Sequence, residues 1–177
     1  LSGEITYKGK VLSQEDKEKL RGKELSLVPQ SVAYLDPLMR IGPQVRGKKF
    51  GEKKSAAQKN IFRRFNLKDD VEKLYPFQLS GGMARRILVS TAVLSDAALI
   101  IADEPTPGLD LEMALEALKI FRELADEGKA VILITHDIDL AFHIADRIAV
   151  FYAGTTLEIA DAKDFLKGSE SLRHPYS

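Results

Sequence analysis

Two adjacent carboxylates, Asp103 and Glu104, end the apolar run ALIIA and precede the break PTPG. Consecutive side chains after a strand point to opposite sides, so the two acids can do different chemistry. One can ligate Mg²⁺, which prefers oxygen ligands, while the other activates a water as general base. The residues alone leave a second interpretation equally open, in which the pair caps the following helix.

Three further features have residue types that suit phosphate chemistry. His136 follows the apolar stretch VILIT, where it can donate a hydrogen bond to a phosphoryl oxygen that gains negative charge. Ser80, Gly81 and Gly82 open an apolar-rich segment, where glycine lets backbone amides approach an anion and a helix N-terminus attracts it. Gln30 is an amide directly after SLVP. Taken singly, each also fits an ordinary role, as a turn histidine, a serine N-cap or an unremarkable amide.

Composition indicates an ordinary globular protein. Of 177 residues, 45% are hydrophobic and 29% are charged, and 26 basic side chains balance 26 acidic ones. This balance favours neither nucleic acid nor an anionic membrane as a partner. Residues 46–68 carry nine Lys or Arg and one acid, which we interpret as a solvated face. The absence of cysteine excludes disulfides and thiolate zinc sites, and no apolar run of about 18 residues predicts a membrane span.

The candidate residues need strands and helices that bring them to one edge. Alternation over Glu4–Leu12 predicts an early antiparallel hairpin, ELSLVPQ predicts a short strand, and residues 31–43 predict a loop. Helical periodicity begins near Lys53, and a second helix follows LSGG. From residue 98, the order strand, helix, strand, helix, strand predicts a doubly wound parallel sheet with buried strands at ALIIAD, AVILIT and RIAVFYAG. TTLEIA predicts a hairpin partner, and DAKDFLKG a terminal helix.

The ligands of such sheets lie at the carboxyl ends of the strands. Both polar clusters, Asp103 with Glu104 and Thr135–Asp137, directly follow predicted buried strands. We therefore expect the two clusters to converge at one edge of the sheet.

The order of these features resembles the nucleotide-binding subunit of ABC transporters. LSGGMARR is similar to the family's signature motif, ALIIADEPT to its Walker B segment with the following glutamate, and PGLD to its D-loop. LITHD is similar to its switch-histidine segment, and SLVPQ to the strand that enters its Q-loop. More narrowly, YPFQLSGGM, LDPLMRIGPQV, ADEPTPGLD and the closing HPYS resemble the subfamily that imports peptides and nickel. The resemblance covers nearly the whole chain.

The resemblance implies a P-loop NTPase-like α/β fold, a parallel sheet with an inserted helical subdomain. We assign residues 1–30 and 89–177 to a partial ATPase core, and residues 31–88 to a helical subdomain with the Q-loop and signature motif. The expected phosphate loop, G-x-x-x-x-G-K-[ST], is missing. Its nearest match, GPQVRGKK, has Lys49 where a hydroxyl must bind Mg²⁺ and Pro43 where an amide hydrogen is needed. We interpret this string as the start of the helical subdomain.

In the resembled family, the phosphate loop and an aromatic residue that stacks on adenine come before the strand that GEITYKG resembles. We therefore interpret the chain as a piece of a longer subunit. The family's phosphate-loop strand lies inside the parallel sheet, so we expect two remaining strands to lack their shared neighbour. We predict that these 177 residues alone neither bind ATP tightly nor hydrolyse it.

The resemblance also implies an ATP site shared by two such subunits facing each other head to tail, with Mg²⁺ as the second cofactor. Ser80, Gly81 and Gly82 would contact the γ-phosphate bound by the partner subunit. Asp103 would hold Mg²⁺ through water, and Glu104 would be the general base.

Three further roles follow from the resemblance. His136 would stabilise the transferring phosphoryl group, and Asp110 would lie across the dimer interface. Gln30 would touch the metal or the water and connect it, through the loop Ser31–Leu38, to a transmembrane permease. The subunit would hydrolyse ATP to drive import of peptides or nickel, at the cytoplasmic face of the membrane. It would contact the membrane only through the permease and would bind no nucleic acid.

The chain departs from the family pattern in two motifs. After LSGG the family often has Gln, or Met followed by Arg-Gln-Arg, whereas this chain has Met83-Ala84-Arg85-Arg86. The D-loop, often Ser-Ala-Leu-Asp, is PGLD.

One alternative function is a non-catalytic regulatory or interaction module without a phosphate loop. The other is a DNA-maintenance ATPase of the same superfamily, which the lack of heptad runs and cysteines disfavours.

Overall fold

The computed structural model describes residues 3–47 and 51–167, which form two compact units. One unit extends to Ile134, and the other begins at Thr135. Lys49 and the closing HPYS, on which two of the interpretations above rest, lie outside the described residues. Within those ranges, no helix combines the length and the apolar character that crossing a membrane requires.

The first unit begins with a hairpin and a short helix. Strands β1 (Thr6–Tyr7) and β2 (Lys10–Val11) pair antiparallel, as the alternation predicts. Helix α1 (Gln14–Leu20) follows and was not predicted. Its capping box joins Ser13 and Asp16, each side chain accepting a hydrogen bond from the other residue's backbone N–H at 3.1 Å. The hydrogen bond from Lys10, together with those from Ser13, lowers the pKa of Asp16 to about 2.

The centre of the first unit is a three-stranded parallel sheet in the order β3, β4, β5. Its strands are β3 (Leu25–Val28), β4 (Leu99–Asp103) and β5 (Ala130–Ile134). In register, Val28 lies opposite Ala102, and Asp103 lies opposite Ile134. The carboxyl ends of the three strands therefore lie at one edge, with β4 in the middle.

One face of this sheet is covered and the other is open. Helices α4 (Gly81–Val93) and α5 (Leu111–Asp126) pack on the covered face, and their side chains form a core with Val28, Ile100 and Ala102. The prediction that β5 is buried on both faces is wrong, because among the described strands β5 pairs only with β4 and has no fully buried residue. Leu27, Ile132 and Ile134 keep 50%, 49% and 50% of their surface exposed.

The described residues between β3 and α4 form two helices and three short 3₁₀ turns. Helices α2 (Ile41–Arg46) and α3 (Glu52–Arg64) are joined to short 3₁₀ turns at Val32–Tyr34, Asp69–Lys73 and Pro76–Gln78. Residues 42–46 of GPQVRGKK lie in α2, and the interpretation of this string as the start of a helical subdomain stays a prediction. A Cβ atom on Gly42, which is buried, would lie 3.1 Å from the carbonyl oxygen of Glu72, so this glycine serves close packing. The predicted division into residues 1–30 with 89–177 and residues 31–88 stays a prediction.

The second unit contains α6 (Ile138–Ile144), β6 (Arg147–Tyr152), β7 (Thr155–Asp161) and α7 (Ala162–Phe165). The prediction of β6 as a third buried strand of the parallel sheet is wrong. In the described part of the chain, β6 pairs only with β7, antiparallel, and has no fully buried residue. Ala153 and Gly154, with φ of +47° and +83°, turn the chain directly back onto β6 in a two-residue hairpin loop.

Arg64 joins α3 to α5 through two carboxylates. Its guanidinium donates to Glu116 and to Glu123, each at 2.7 Å. The hydrogen bond from Arg64 holds the pKa of Glu123 below its ordinary value of 4.5. Because the folded-state pKa is lowered, this carboxylate stabilises the fold above pH 4.5 and loses that contribution as the pH falls below it.

Glu123→Gln should therefore lower the free energy of unfolding at pH 7 by about 1 kcal/mol or less, since the pair is partly exposed. It should also flatten the loss of stability below pH 4.5. Urea midpoints measured across this pH range check both effects. Glu127→Gln, at the end of the same helix, is the control. Identical pH profiles for the two variants would contradict the role of Arg64.

Candidate functional site

The two carboxylates lie where the central strand ends. Asp103 is the last residue of β4, and Glu104 follows it with a φ of +47°. The Glu104 N–H donates to the carbonyl of Ile134 at 2.9 Å, so the end of β5 fixes this turn. A left-handed conformation costs a non-glycine residue about 1 kcal/mol or more, and such strain is concentrated at functional sites. Both side chains are half-buried.

The interpretation of this pair as the cap of the next helix does not hold. Asp110 is the N-cap of α5, where its carboxylate accepts a hydrogen bond from the backbone N–H of Met113 at 2.9 Å. Asp103 and Glu104 are therefore not needed for starting the helix. The position predicted for Asp110 across a dimer interface stays a prediction.

Arg85, which sequence reasoning did not select, connects the signature helix α4 to the end of β3. Its guanidinium donates to the carbonyl of Pro29 at 2.9 Å and to the carbonyl of Gln30. Burial lowers the pKa of Arg85, and the negative charges of Asp103 and Glu104 act in the opposite direction. The structure thus groups Gln30, Arg85 and the two carboxylates at the carboxyl edge of the sheet. The side chain of Gln30 is exposed there.

The signature motif begins α4 and approaches the D-loop. Ser80 is the N-cap, and its hydroxyl accepts from the Met83 backbone N–H at 3.3 Å. A Cβ atom on Gly82 would lie 3.2 Å from the Gly108 carbonyl oxygen, whereas a Cβ on Gly81 would have nothing within 4 Å. A side chain at position 82 would therefore crowd the Gly108 backbone, whereas position 81 is open to an external group.

This difference predicts different stabilities for two matched substitutions. Gly81→Ala should leave the free energy of unfolding unchanged or raise it by up to about 1 kcal/mol, because alanine favours the helix and meets no atom. Gly82→Ala should be less stable than Gly81→Ala by about 1 kcal/mol, because the Gly108 carbonyl must move. Urea denaturation of both variants decides this, and equal stabilities would contradict the close approach.

His136 lies at the start of the second unit. It is exposed, in a turn where the Thr135 hydroxyl accepts from the Asp137 backbone N–H at 3.0 Å. Asp137 caps α6 by accepting from the Leu140 N–H at 3.1 Å. The position of His136 relative to Asp103 and Glu104 stays a prediction. His143 contacts the Asp139 carbonyl at 2.6 Å within α6, which agrees with an ordinary helical role.

The polar groups at the sheet edge fit a Mg²⁺ ion that takes some of its ligands from water and phosphate better than an ion held by protein ligands alone. Among residues 3–47 and 51–167, no group of three or more His, Asp or Glu side chains could hold a metal ion. The carboxylates of Asp103 and Glu104 and the exposed amide of Gln30 are present at this edge. Mg²⁺ typically takes one or two carboxylates and completes its shell with water and phosphate oxygens, so this donor set fits the ion.

These features define an α/β protein with polar groups at the carboxyl edge of a parallel sheet. The sequence model of the ABC transporter family matches residues 1–107. The chain belongs to the ABC transporter family, so both the predicted family and the predicted fold class are confirmed.

Two of the curated relatives of this chain are ATP-binding proteins of peptide transport. The chain is 37% identical over 190 residues to the dipeptide transport ATP-binding protein DppD of Bacillus subtilis, covering 99% of this chain and 55% of that protein. It is 32% identical to the oligopeptide transport ATP-binding protein OppD of Escherichia coli, covering 100% of this chain and 56% of that protein. The predicted likeness to the peptide-import branch is confirmed. The chain spans about half the length of the curated relatives it matches.

A solved structure has a similar fold. The dimeric ATP-binding cassette MJ0796, bound to ADP and Pi in a post-hydrolysis state, superposes with a TM-score of 0.78 at 25% sequence identity. The match covers 91% of this chain and 74% of that chain.

Proposed function

We propose that this chain supplies the catalytic edge of an ATP-hydrolysing subunit that drives peptide import through a membrane permease. The carboxylate pair at the end of β4, with Glu104 held in a strained turn, is the observation that carries the proposal. The names of the peptide-transport relatives and the ADP and Pi bound to the solved cassette support it.

Each carboxylate has its own role. Asp103 holds Mg²⁺ through water, with the Gln30 amide as a further oxygen donor, and the ion when bound neutralises charge on the phosphates. Glu104 accepts the proton of the attacking water. Its left-handed backbone supports this role, because backbone strain of this kind is concentrated at functional sites. His136 donates a hydrogen bond to the transferring phosphoryl group.

The signature segment acts on the nucleotide of a second ATP-binding subunit, of the same or another kind. The backbone amides at Ser80, Gly81 and Gly82, at the positive end of the 13-residue helix α4, contact its γ-phosphate. The open space beside Gly81 supports this contact. Asp110 then lies near the interface between the subunits. The dimeric state of the solved cassette supports this arrangement.

The phosphate cradle comes from a strand, loop and helix that these residues do not contain. Within the described ranges β5 pairs only with β4, and its free edge and the exposed face at Leu27, Ile132 and Ile134 support their position. A parallel sheet is normally covered on both faces, so a strand added beside β5 and a helix on the open face complete the core.

The segment after Gln30 contacts the permease. Tyr34 and Leu38 keep 71% and 88% of their surface exposed, which is unusual for large apolar side chains so close together in sequence. This exposure supports a docking role for Ser31–Leu38. The subunit then lies at the cytoplasmic face and reaches the membrane only through the permease.

The proposal is tested by ATP turnover of the complete subunit that contains this sequence. We expect phosphate release that requires Mg²⁺ and stops when the ion is chelated by EDTA. The subunit should also bind ATP with Mg²⁺ present, as measured by calorimetry. Absence of both binding and turnover would contradict the proposal and favour a non-catalytic regulatory or interaction module.

A further inference from the structure

Arg85 is a buried cation in an unusual setting. Only 7% of its surface is exposed, and among the described residues it forms no direct ion pair. Its two terminal nitrogens donate to the carbonyls of Pro29 and Gln30, and its Nε is buried without a hydrogen-bond partner in the described ranges. Burial of a charged group without a paired carboxylate is unfavourable, so this position needs a reason beyond packing.

The two carbonyls that Arg85 binds are the first beyond the sheet. Strand β3 ends at Val28, so the ladder with β4 does not hold Pro29 and Gln30. The contact spans 55 residues of sequence and joins the second turn of α4 to the residue where the chain leaves the sheet. Arg85 thus fixes the backbone from which the Gln30 side chain projects.

We propose that Arg85 is a positioning residue, which holds Gln30 against the signature helix so that the phosphate contact at the start of α4 and the Gln30 amide move together. The inference rests on the proposed function, because it needs Gln30 to serve the Mg²⁺ and water site. It also assigns a purpose to a departure from the family pattern, since Arg85 stands where the family often has Gln. Its charge lies in the field of Asp103 and Glu104.

Two substitutions distinguish the effect of the Arg85 charge from the effect of its two hydrogen bonds. Lysine keeps the charge but presents a single ammonium group, which cannot reproduce the planar fork that reaches two carbonyls. Glutamine removes the charge and is shorter, as in the family pattern. If positioning depends on the two hydrogen bonds, both variants should show the same kind of defect, which the charge kept in Arg85→Lys does not prevent.

In the complete subunit, Arg85→Lys and Arg85→Gln should raise the Mg²⁺ concentration for half-maximal ATP turnover about tenfold, as expected from losing hydrogen bonds to a charged group. The kcat should fall while the KM for ATP stays within about twofold, because the phosphate cradle is untouched. Arg64→Gln, which removes a partly buried arginine between α3 and α5, is the control. It should lower thermal stability without moving the Mg²⁺ requirement.

Hydrogen exchange of the complete subunit gives a readout that does not need activity. Amides of Ser31–Leu38 should exchange about tenfold faster in Arg85→Gln than in the unsubstituted protein, and not in Arg64→Gln. Unchanged exchange, or faster exchange with an unchanged Mg²⁺ requirement, overturns the inference and leaves the proposed function standing. An unsubstituted subunit that hydrolyses no ATP overturns both, whatever the exchange result.

Discussion

Glu104→Gln in the complete subunit should lower ATP turnover about a thousandfold, because the amide cannot accept the proton of the attacking water. The change keeps the size of the side chain, so the strained turn at the end of β4 should persist. ATP binding should remain, and the bound nucleotide should hold two subunits together. Steady-state phosphate release measures the first effect, and size-exclusion chromatography with ATP measures the second.

The control for this substitution is Glu112→Gln. Glu112 is an exposed carboxylate in the first turn of α5, beyond the D-loop. We expect its removal to change turnover by less than about twofold, as for a surface charge outside the site. Retained turnover in Glu104→Gln would exclude this carboxylate as the general base. Another group would then have to accept the proton of the attacking water.

The 177-residue chain alone should show no ATP binding at concentrations that saturate the complete subunit. Its turnover should be lower by about a thousandfold or more, because the phosphate loop that positions the triphosphate is missing. The exposed apolar face at Leu27, Ile132 and Ile134 should also make the isolated chain prone to self-association. Calorimetric titration with ATP and static light scattering measure these two outcomes.

The complete subunit, prepared and assayed in parallel, is the control for this comparison. It should remain dispersed and bind ATP under the same conditions. If the isolated chain hydrolysed ATP at a comparable rate, the phosphate cradle would have to lie within these residues, and the interpretation of GPQV as an ordinary helix start would be wrong.

Local signals explain why much of the fold was predictable. A serine and two glycines before an apolar-rich run predict α4, and the apolar stripe of α5 is interrupted by no glycine until Gly128. The run ALIIAD predicts β4, which pairs with a strand on each side. The order of motifs, more than any one of them, predicted the family.

Other features depend on information that local patterns lack. Helix α1 has no fully buried residue, so its sequence contains no apolar stripe that would predict a helix. The only local signal for it is the capping box of Ser13 and Asp16. The burial of β5 and β6 depends on which elements cover them, which an apolar run cannot specify. Arg85 looks like a surface charge beside Arg86, and its acceptors at Pro29 and Gln30 are distant in sequence.

Peptide uptake into proteoliposomes most directly tests whether hydrolysis at Glu104 drives import. The vesicles would hold the complete subunit with its permease, with ATP and Mg²⁺ on the side of this subunit and labelled dipeptide on the other. We expect uptake that requires ATP and is abolished by Glu104→Gln. Uptake that persists in Glu104→Gln, or ATP hydrolysis without any uptake, would contradict that claim.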